Sequence, residues 1–295
     1  MGICDGRVVI ITGAARGLGR EYALGFAAEG AYVIVNDLGG ATDREAAAAV
    51  AEQITAAGGK AITNHDDIAD WDGAGRLIRA ALDAFGALHV VVNNAGILRL
   101  FPFEEEPLEN WDRTIRVHLR GHFCVARCAL EHWRAEQAAG RPVAARIINV
   151  SSGAGLQGAA GQASYSTAKG GIASLTLTQA AELGRYGITA NAIAPIARTR
   201  MTAEFWPDQI AKPEHGFDAM DPANVAPLLV WLGSERASHV TGCVFEVGGG
   251  LIALEEGWDF GPMIDRQRRW APAEVGSAVE VLLSRRRTPR PVWNT

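Results

Sequence analysis

The apolar run Val8-Val9-Ile10-Ile11 leads directly into Thr12-Gly13-Ala14-Ala15-Arg16-Gly17-Leu18-Gly19 and then into a helical pattern that ends at Gly30. A buried-type strand, a glycine turn and a helix in this order are the opening unit of a layered α/β fold. The glycines let the backbone approach a pyrophosphate, and the start of the following helix offers free N–H donors and a positive dipole end. Their spacing is G-x-x-x-G-x-G rather than G-x-G-x-x-G, so a tight turn without a ligand is the competing reading. Further apolar runs near 32–36, 60–64, 88–92, 145–150, 188–193 and 243–247 alternate with helical patterns. With 7–11, that rhythm predicts seven strands in a parallel sheet covered by helices on both faces. With 295 residues and 48% hydrophobic content, one large domain can bury a substantial core.

Tyr32-Val33-Ile34-Val35-Asn36-Asp37 reads as the second strand, with Asp37 at its C-terminal end, 24 residues past Gly13. A carboxylate there accepts both hydroxyls of an adenosine ribose and repels a 2′-phosphate, favouring NAD over NADP. Arg16 argues the other way as a basic residue within the turn, or is simply solvated. Thr42-Asp43-Arg44-Glu45 has the pattern of a capping box before the alanine-rich helix that closes at Gly58-Gly59.

Tyr165-Ser-Thr-Ala-Lys169 follows Ser152 by thirteen residues. On a helix, Tyr165 and Lys169 share a face one turn apart, and an ammonium beside a phenol favours its ionised form. Free tyrosine titrates near ~10, so a depressed Tyr165 would serve as a base.

Together these residues resemble the short-chain dehydrogenase/reductase family over residues 5 to about 252. Thr12 to Gly19 resembles the cofactor turn, with Gly13, Arg16, Gly17, Leu18 and Gly19 as contacts. Asn93-Asn94-Ala95-Gly96 resembles the second signature. Ser152, Tyr165 and Lys169 match the catalytic residues. The resemblance implies a Rossmann-type doubly wound sheet in the order 3-2-1-4-5-6-7, an NAD cofactor, and Asp67, or neighbouring Asp66, on the adenine side. It further implies that Asn93 supports the cofactor-side backbone, with Ala95 and Gly96 beside it, and that Pro195 and Thr199 meet the nicotinamide end. Pro195-Ile196-Ala197 departs from the family's usual Pro-Gly. A homodimer or homotetramer is expected by resemblance alone.

Four stretches are similar to the dehydrogenase part of peroxisomal multifunctional enzyme type 2 and its bacterial relatives: Val35 to Gly40, Asn93 to Arg99, Arg116 to Gly121, and Phe245 to Gly248. That subgroup implies a 3-hydroxyacyl-CoA thioester as substrate, with a hydroxysteroid dehydrogenase or a 3-oxoacyl-carrier-protein reductase as neighbouring readings and a silent NAD-binding sensor or scaffold as a remote one. His118 stands where the family usually has a catalytic asparagine. It either continues a proton relay from Lys169, shapes the helix locally, or is a satisfied core histidine.

Residues 200–222, with Met201, Phe205, Trp206, Phe217 and Met220, are expected to form a substrate lid or, alternatively, a loop filling core or subunit contacts. Residues 253–295 form a C-terminal extension to the 1–252 catalytic domain, packing on the active site or a neighbouring subunit. From Arg266 onward it carries Arg266, Arg268, Arg269, Arg285, Arg286, Arg287 and Arg290 against Glu274 and Glu280. These arginines either hold the phosphates of a CoA substrate or belong to a solvated tail packed by Trp258, Trp270 and Trp293. The net charge of −5 gives no reason to expect nucleic acid. Cys4, Cys124, Cys128 and Cys243 have no zinc-like spacing and are expected to be reduced. No apolar run approaches the ~20 residues of a membrane span, no signal-type opening is present, and a cytoplasmic location is expected.

Overall fold

A computed structural model describes residues 2–208, 210–257 and 261–286. Strand β1 (Val8–Thr12) enters α1 (Gly17–Ala28) through the glycine turn. Then follow β2 (Tyr32–Asn36), α2 (Ala41–Ala56), β3 (Lys60–Asn64), α3 (Trp71–Phe85) and β4 (Val90–Asn93). The chain continues through α4 (Leu108–Ile115), a π-helical turn at Arg116–Arg120 and α5 (Gly121–Ala138) to β5 (Ala145–Val150). Next come α6 (Gly153–Gln157), α7 (Ala163–Leu183), β6 (Ile188–Pro195), α8 (Arg200–Ala203), α9 (Ala226–Gly233) and β7 (Val244–Gly248). Strand β8 (Leu251–Glu255) and helix α10 (Pro272–Arg285) complete the order.

The sheet runs β3-β2-β1-β4-β5-β6-β7-β8. The first seven strands are parallel and in the expected order. The expected seven-stranded sheet is corrected to eight strands, because Leu251–Glu255 folds back antiparallel on β7, pairing Gly248 with Leu251 and Val244 with Glu255. Gly249, at φ +54°, supplies the left-handed backbone of that reversal.

Alternation along β1 divides the core. Val9 and Ile11 pack with Tyr22, Phe26, Val50 and Leu229 on the face covered by α1, α2 and α9. Val8 and Ile10 pack with Leu77, Ile78, Val125 and Trp133 on the face covered by α3 and α5. Burial on both faces explains why the central strands read as continuous apolar runs. The indole of Trp133 also donates to the Leu88 carbonyl at 2.7 Å, so its one polar atom is satisfied in the core.

The capping box expected at Thr42–Glu45 does not form. Helix α2 starts two residues earlier, with Gly40 as its N-cap and no side-chain cap. Asp43 therefore falls on the third residue of the helix, where its carboxylate turns outward to Arg16.

Candidate active site

The C-terminal ends of β1 to β6 converge on one cleft of about 630 Å³. Parallel strands place all their C-terminal ends on one edge of the sheet, which is why residues far apart in sequence meet there. Gly13 and Gly17 take φ +65° and +53°, a region that L side chains avoid. A Cβ on Gly13 would lie 2.8 Å from the Ala95 Cα, so this position also needs glycine for close approach. Helix α1 begins at Gly17 without a side-chain cap, leaving its first-turn N–H groups for a ligand.

The turn after β4 is tied to the glycine turn. Thr12 Oγ1 accepts from the backbone N–H of Asn94 at 2.9 Å and of Ala95 at 3.0 Å. The Asn94 side-chain amide donates to the Thr12 and Gly13 carbonyls at 2.9 and 3.1 Å. Asn93 points into the protein and donates to Asn149 Oδ1 at 3.0 Å. The residue bracing the glycine turn is thus Asn94, which sequence reasoning passed over. Strand alternation was the available signal, since consecutive residues at a strand end face opposite sides.

At the adenosine end, Asp37 Oδ2 accepts from Ala15 N at 3.1 Å and Oδ1 from Gly39 N at 3.2 Å. Asp66 binds Arg76 Nε at 2.6 Å and Asp67 binds Arg116 Nη2 at 2.6 Å, and both aspartates line the cleft. Arg16 lines it too, with Nε 3.0 Å from Asp43 Oδ1 and Nη2 donating to the Thr42 carbonyl at 2.9 Å. Leu18, Gly19, Ala95, Gly96 and Pro195 also line the cleft, as do Arg113, Arg200 and Met201, which sequence reasoning had not marked as cofactor contacts. Thr199 caps α8, its hydroxyl accepting from Thr202 N at 3.2 Å, and sits against Gly17.

At the other end, Ser152, Tyr165 and Lys169 share the cleft wall. Ser152 caps α6, accepting from Ala154 N at 3.3 Å, and its hydroxyl stands beside the Tyr165 phenol. The Lys169 ammonium donates to the Val150 carbonyl at 2.6 Å and lies 5.6 Å from the Tyr165 ring centroid. Ser151 fixes this segment by donating to the Lys169 carbonyl at 2.8 Å. Burial pushes Lys169 down to about 7. Burial also raises the Tyr165 phenol, against a smaller lowering from Ser152. The expected depression of Tyr165 by Lys169 is therefore corrected for the protein alone, because both groups are buried and desolvation dominates.

His118 occupies the π-helical turn and is buried. Its Nε2 lies 2.9 Å from the Ile97 amide nitrogen and 2.7 Å from the Ile97 carbonyl oxygen. The ring stands edge-on to Tyr165, centroids 5.3 Å apart, and a Cβ on Gly96 would collide with it. Burial, reinforced by Lys169, lowers its pKa to about 3. A neutral imidazole thus wedges the β4 turn against Tyr165.

Of the lid candidates, Met201 lines the cleft, Phe205 and Trp206 meet edge-on with ring centroids 5.8 Å apart, and Phe217 is 66% exposed. Arg198 ties the ends of this segment together, pairing with Asp218 and donating to the Ile210 carbonyl. In the extension, Arg266 and Arg268 both pair with Glu274 at 2.8 Å. Trp258, Arg287, Arg290 and Trp293 lie outside the described residues. No helix among the described residues is long and apolar enough to cross a membrane.

The pattern of the family described as short chain dehydrogenase matches residues 7–210. The chain belongs to the short-chain dehydrogenase/reductase family. It is similar to the hydroxyacyl-CoA dehydrogenase ChsB1 of Mycobacterium tuberculosis, 45% identical over 85% of this chain and 80% of that one. It is also 45% identical to peroxisomal multifunctional enzyme type 2 of Mus musculus over 84% of this chain, spanning 32% of that longer protein. A crystal structure of a short chain dehydrogenase from Mycobacterium avium matches with 53% identity, a TM-score of 0.91 and full coverage of both chains. The chain is accordingly an oxidoreductase acting on CH–OH groups with a nicotinamide dinucleotide. The glycine turn, the uncapped start of α1 and the Asp37 carboxylate fit that group chemically.

Proposed function

We propose that this protein is an NAD-dependent dehydrogenase interconverting 3-hydroxyacyl-CoA and 3-oxoacyl-CoA thioesters of fatty-acyl or steroid side-chain type. The observation that carries the reading is one cleft holding the Asp37 carboxylate at one end and Ser152, Tyr165 and Lys169 at the other. Asp37 supports NAD, because its oxygens are held by backbone N–H groups and face the site as a negative charge that a 2′-phosphate would meet. The resemblance to hydroxyacyl-CoA dehydrogenases supports the thioester.

When bound, the nicotinamide supplies a hydride acceptor for oxidation and a hydride donor for reduction. Ser152 holds the substrate oxygen by a hydrogen bond. Tyr165 takes the hydroxyl proton as the C–H hydride leaves, and returns it in reduction. Lys169, on the same face of α7, stabilises the phenolate and offers its ammonium to the nicotinamide ribose. His118 is a positioning residue that keeps the Gly96-Ile97 turn and the Tyr165 ring in register. The aromatic and apolar segment 200–222 covers the substrate, and the extension beyond residue 252 lies near the site or a neighbouring subunit.

The test follows NADH formation by the purified protein with (3R)- and (3S)-hydroxyacyl-CoA of several lengths, a sterol side-chain hydroxyacyl-CoA and free hydroxysteroids. Efficient turnover of one thioester stereoisomer is the expected result. Activity on free alcohols alone would remove the CoA reading and leave the catalytic site standing.

A further inference from the structure

Four carboxylates line the adenosine end of the cleft: Asp37, Asp43, Asp66 and Asp67. Three of them are each matched to an arginine, namely Asp43 to Arg16, Asp66 to Arg76 and Asp67 to Arg116. Asp37 differs, accepting from the N–H groups of Ala15 and Gly39. Of the three arginines, Arg16 alone also lines the cleft. Its guanidinium is the group on the glycine turn that could meet a 2′-phosphate by bidentate hydrogen bonds. In this chain its Nε is spent on Asp43 at 3.0 Å and one Nη on the Thr42 carbonyl at 2.9 Å.

We propose that Asp43 is a second coenzyme-specificity determinant: its carboxylate stands in for the 2′-phosphate of NADP by occupying Arg16 within the cleft, so that Asp37 and Asp43 together select NAD. The local backbone is arranged for it. Any Cβ on Gly39 would collide with the Asp43 side chain, so the glycine makes room for the carboxylate beside the ribose end. A role in stability alone accounts poorly for the pair, since both side chains are partly exposed, 46% and 28%, and such pairs contribute little to folding. Without Asp43, one negative charge leaves the neighbourhood of the 2′-position and one arginine becomes available to it; both changes act in the same direction.

The inference rests on the NAD reading above, and the experiment separates the two. Dissociation constants for NAD and NADP, and for AMP and 2′,5′-ADP, are measured by isothermal titration with the wild type, Asp43→Asn, Arg16→Ala and the double variant. Asp43→Asn is expected to shift the NADP-to-NAD affinity ratio about tenfold toward NADP, with a parallel shift for 2′,5′-ADP over AMP. Arg16→Ala in the Asp43→Asn background is expected to cancel the gain. No shift in Asp43→Asn, or a shift that survives loss of Arg16, would overturn the proposal. Thermal melts of the variants exclude unfolding as the source of either result. A wild type that prefers NADP would sink the NAD reading by itself, and the Asp43→Asn ratio would still decide the role of Asp43.

Discussion

A buried lysine next to a buried tyrosine is costly to fold, and the cost has a definite sign with pH. Lys169 falls from 10.5 in the unfolded chain to about 7 when buried. Between those values the unfolded chain binds more protons, so stability rises with pH across that window. The penalty is fully present below pH 7 and fades toward pH 10.5. Lys169→Met is expected to be the more stable protein at pH 6, with wild type closing the gap by pH 10; melting temperatures of the pair at matched pH check it. Tyr165→Phe removes the proton acceptor and is expected to lower kcat roughly 10²–10⁴-fold while titrations show dinucleotide affinity retained. Survival of turnover would remove Tyr165 from its role. The shared face of Tyr165 and Lys169 was readable from their four-residue spacing. Their burial was not, because the carbonyl that takes the ammonium belongs to Val150, on a different element.

Elements differ in how plainly they announce themselves. The seven parallel strands were legible because burial on both sides enforces continuous apolar runs such as Val8–Ile11. Strand β8 was not, since Leu251-Ile252-Ala253-Leu254 follows β7 so closely that it reads as the end of the same segment, and all three large side chains are exposed. The start of α2 was misread because Gly40 can adopt the N-cap backbone without a capping side chain, which leaves Thr42 and Asp43 to interact with Arg16. Similarly, the choice between Asn93 and Asn94 depends on which side of the sheet each faces. Asn94→Ala removes the side-chain bonds to the Thr12 and Gly13 carbonyls and is expected to weaken dinucleotide binding about tenfold, whereas Asn93→Ala leaves the buried Asn149 Oδ1 without its donor and is expected to lower the melting temperature. Calorimetric titration and thermal melts distinguish these outcomes, and the reverse pattern would exchange the two roles.

At the scale of the molecule, no single element contains the site. Asp37, Asn94, Ser152, Tyr165 and Thr199 come from different strand ends or helices and meet only when the sheet is in order. Dinucleotide binding and far-UV circular dichroism are therefore expected to be lost together in urea, with a single midpoint. Binding lost well before the helices would show that the cleft opens independently.

The strand order also has a consequence in time. β1 gains β2 as a neighbour about as soon as that strand is made, but its other side waits for β4, with Val9 meeting Val90 across some eighty residues of chain. Once Gly96 has emerged from the ribosome, the glycine turn, Asp37 and the Asn94 brace all exist; Ser152, Tyr165 and Lys169 do not. The order of synthesis lays down the residues of the adenosine end before the groups that carry the chemistry, so the part of the chain that selects a coenzyme is made before the part that uses it.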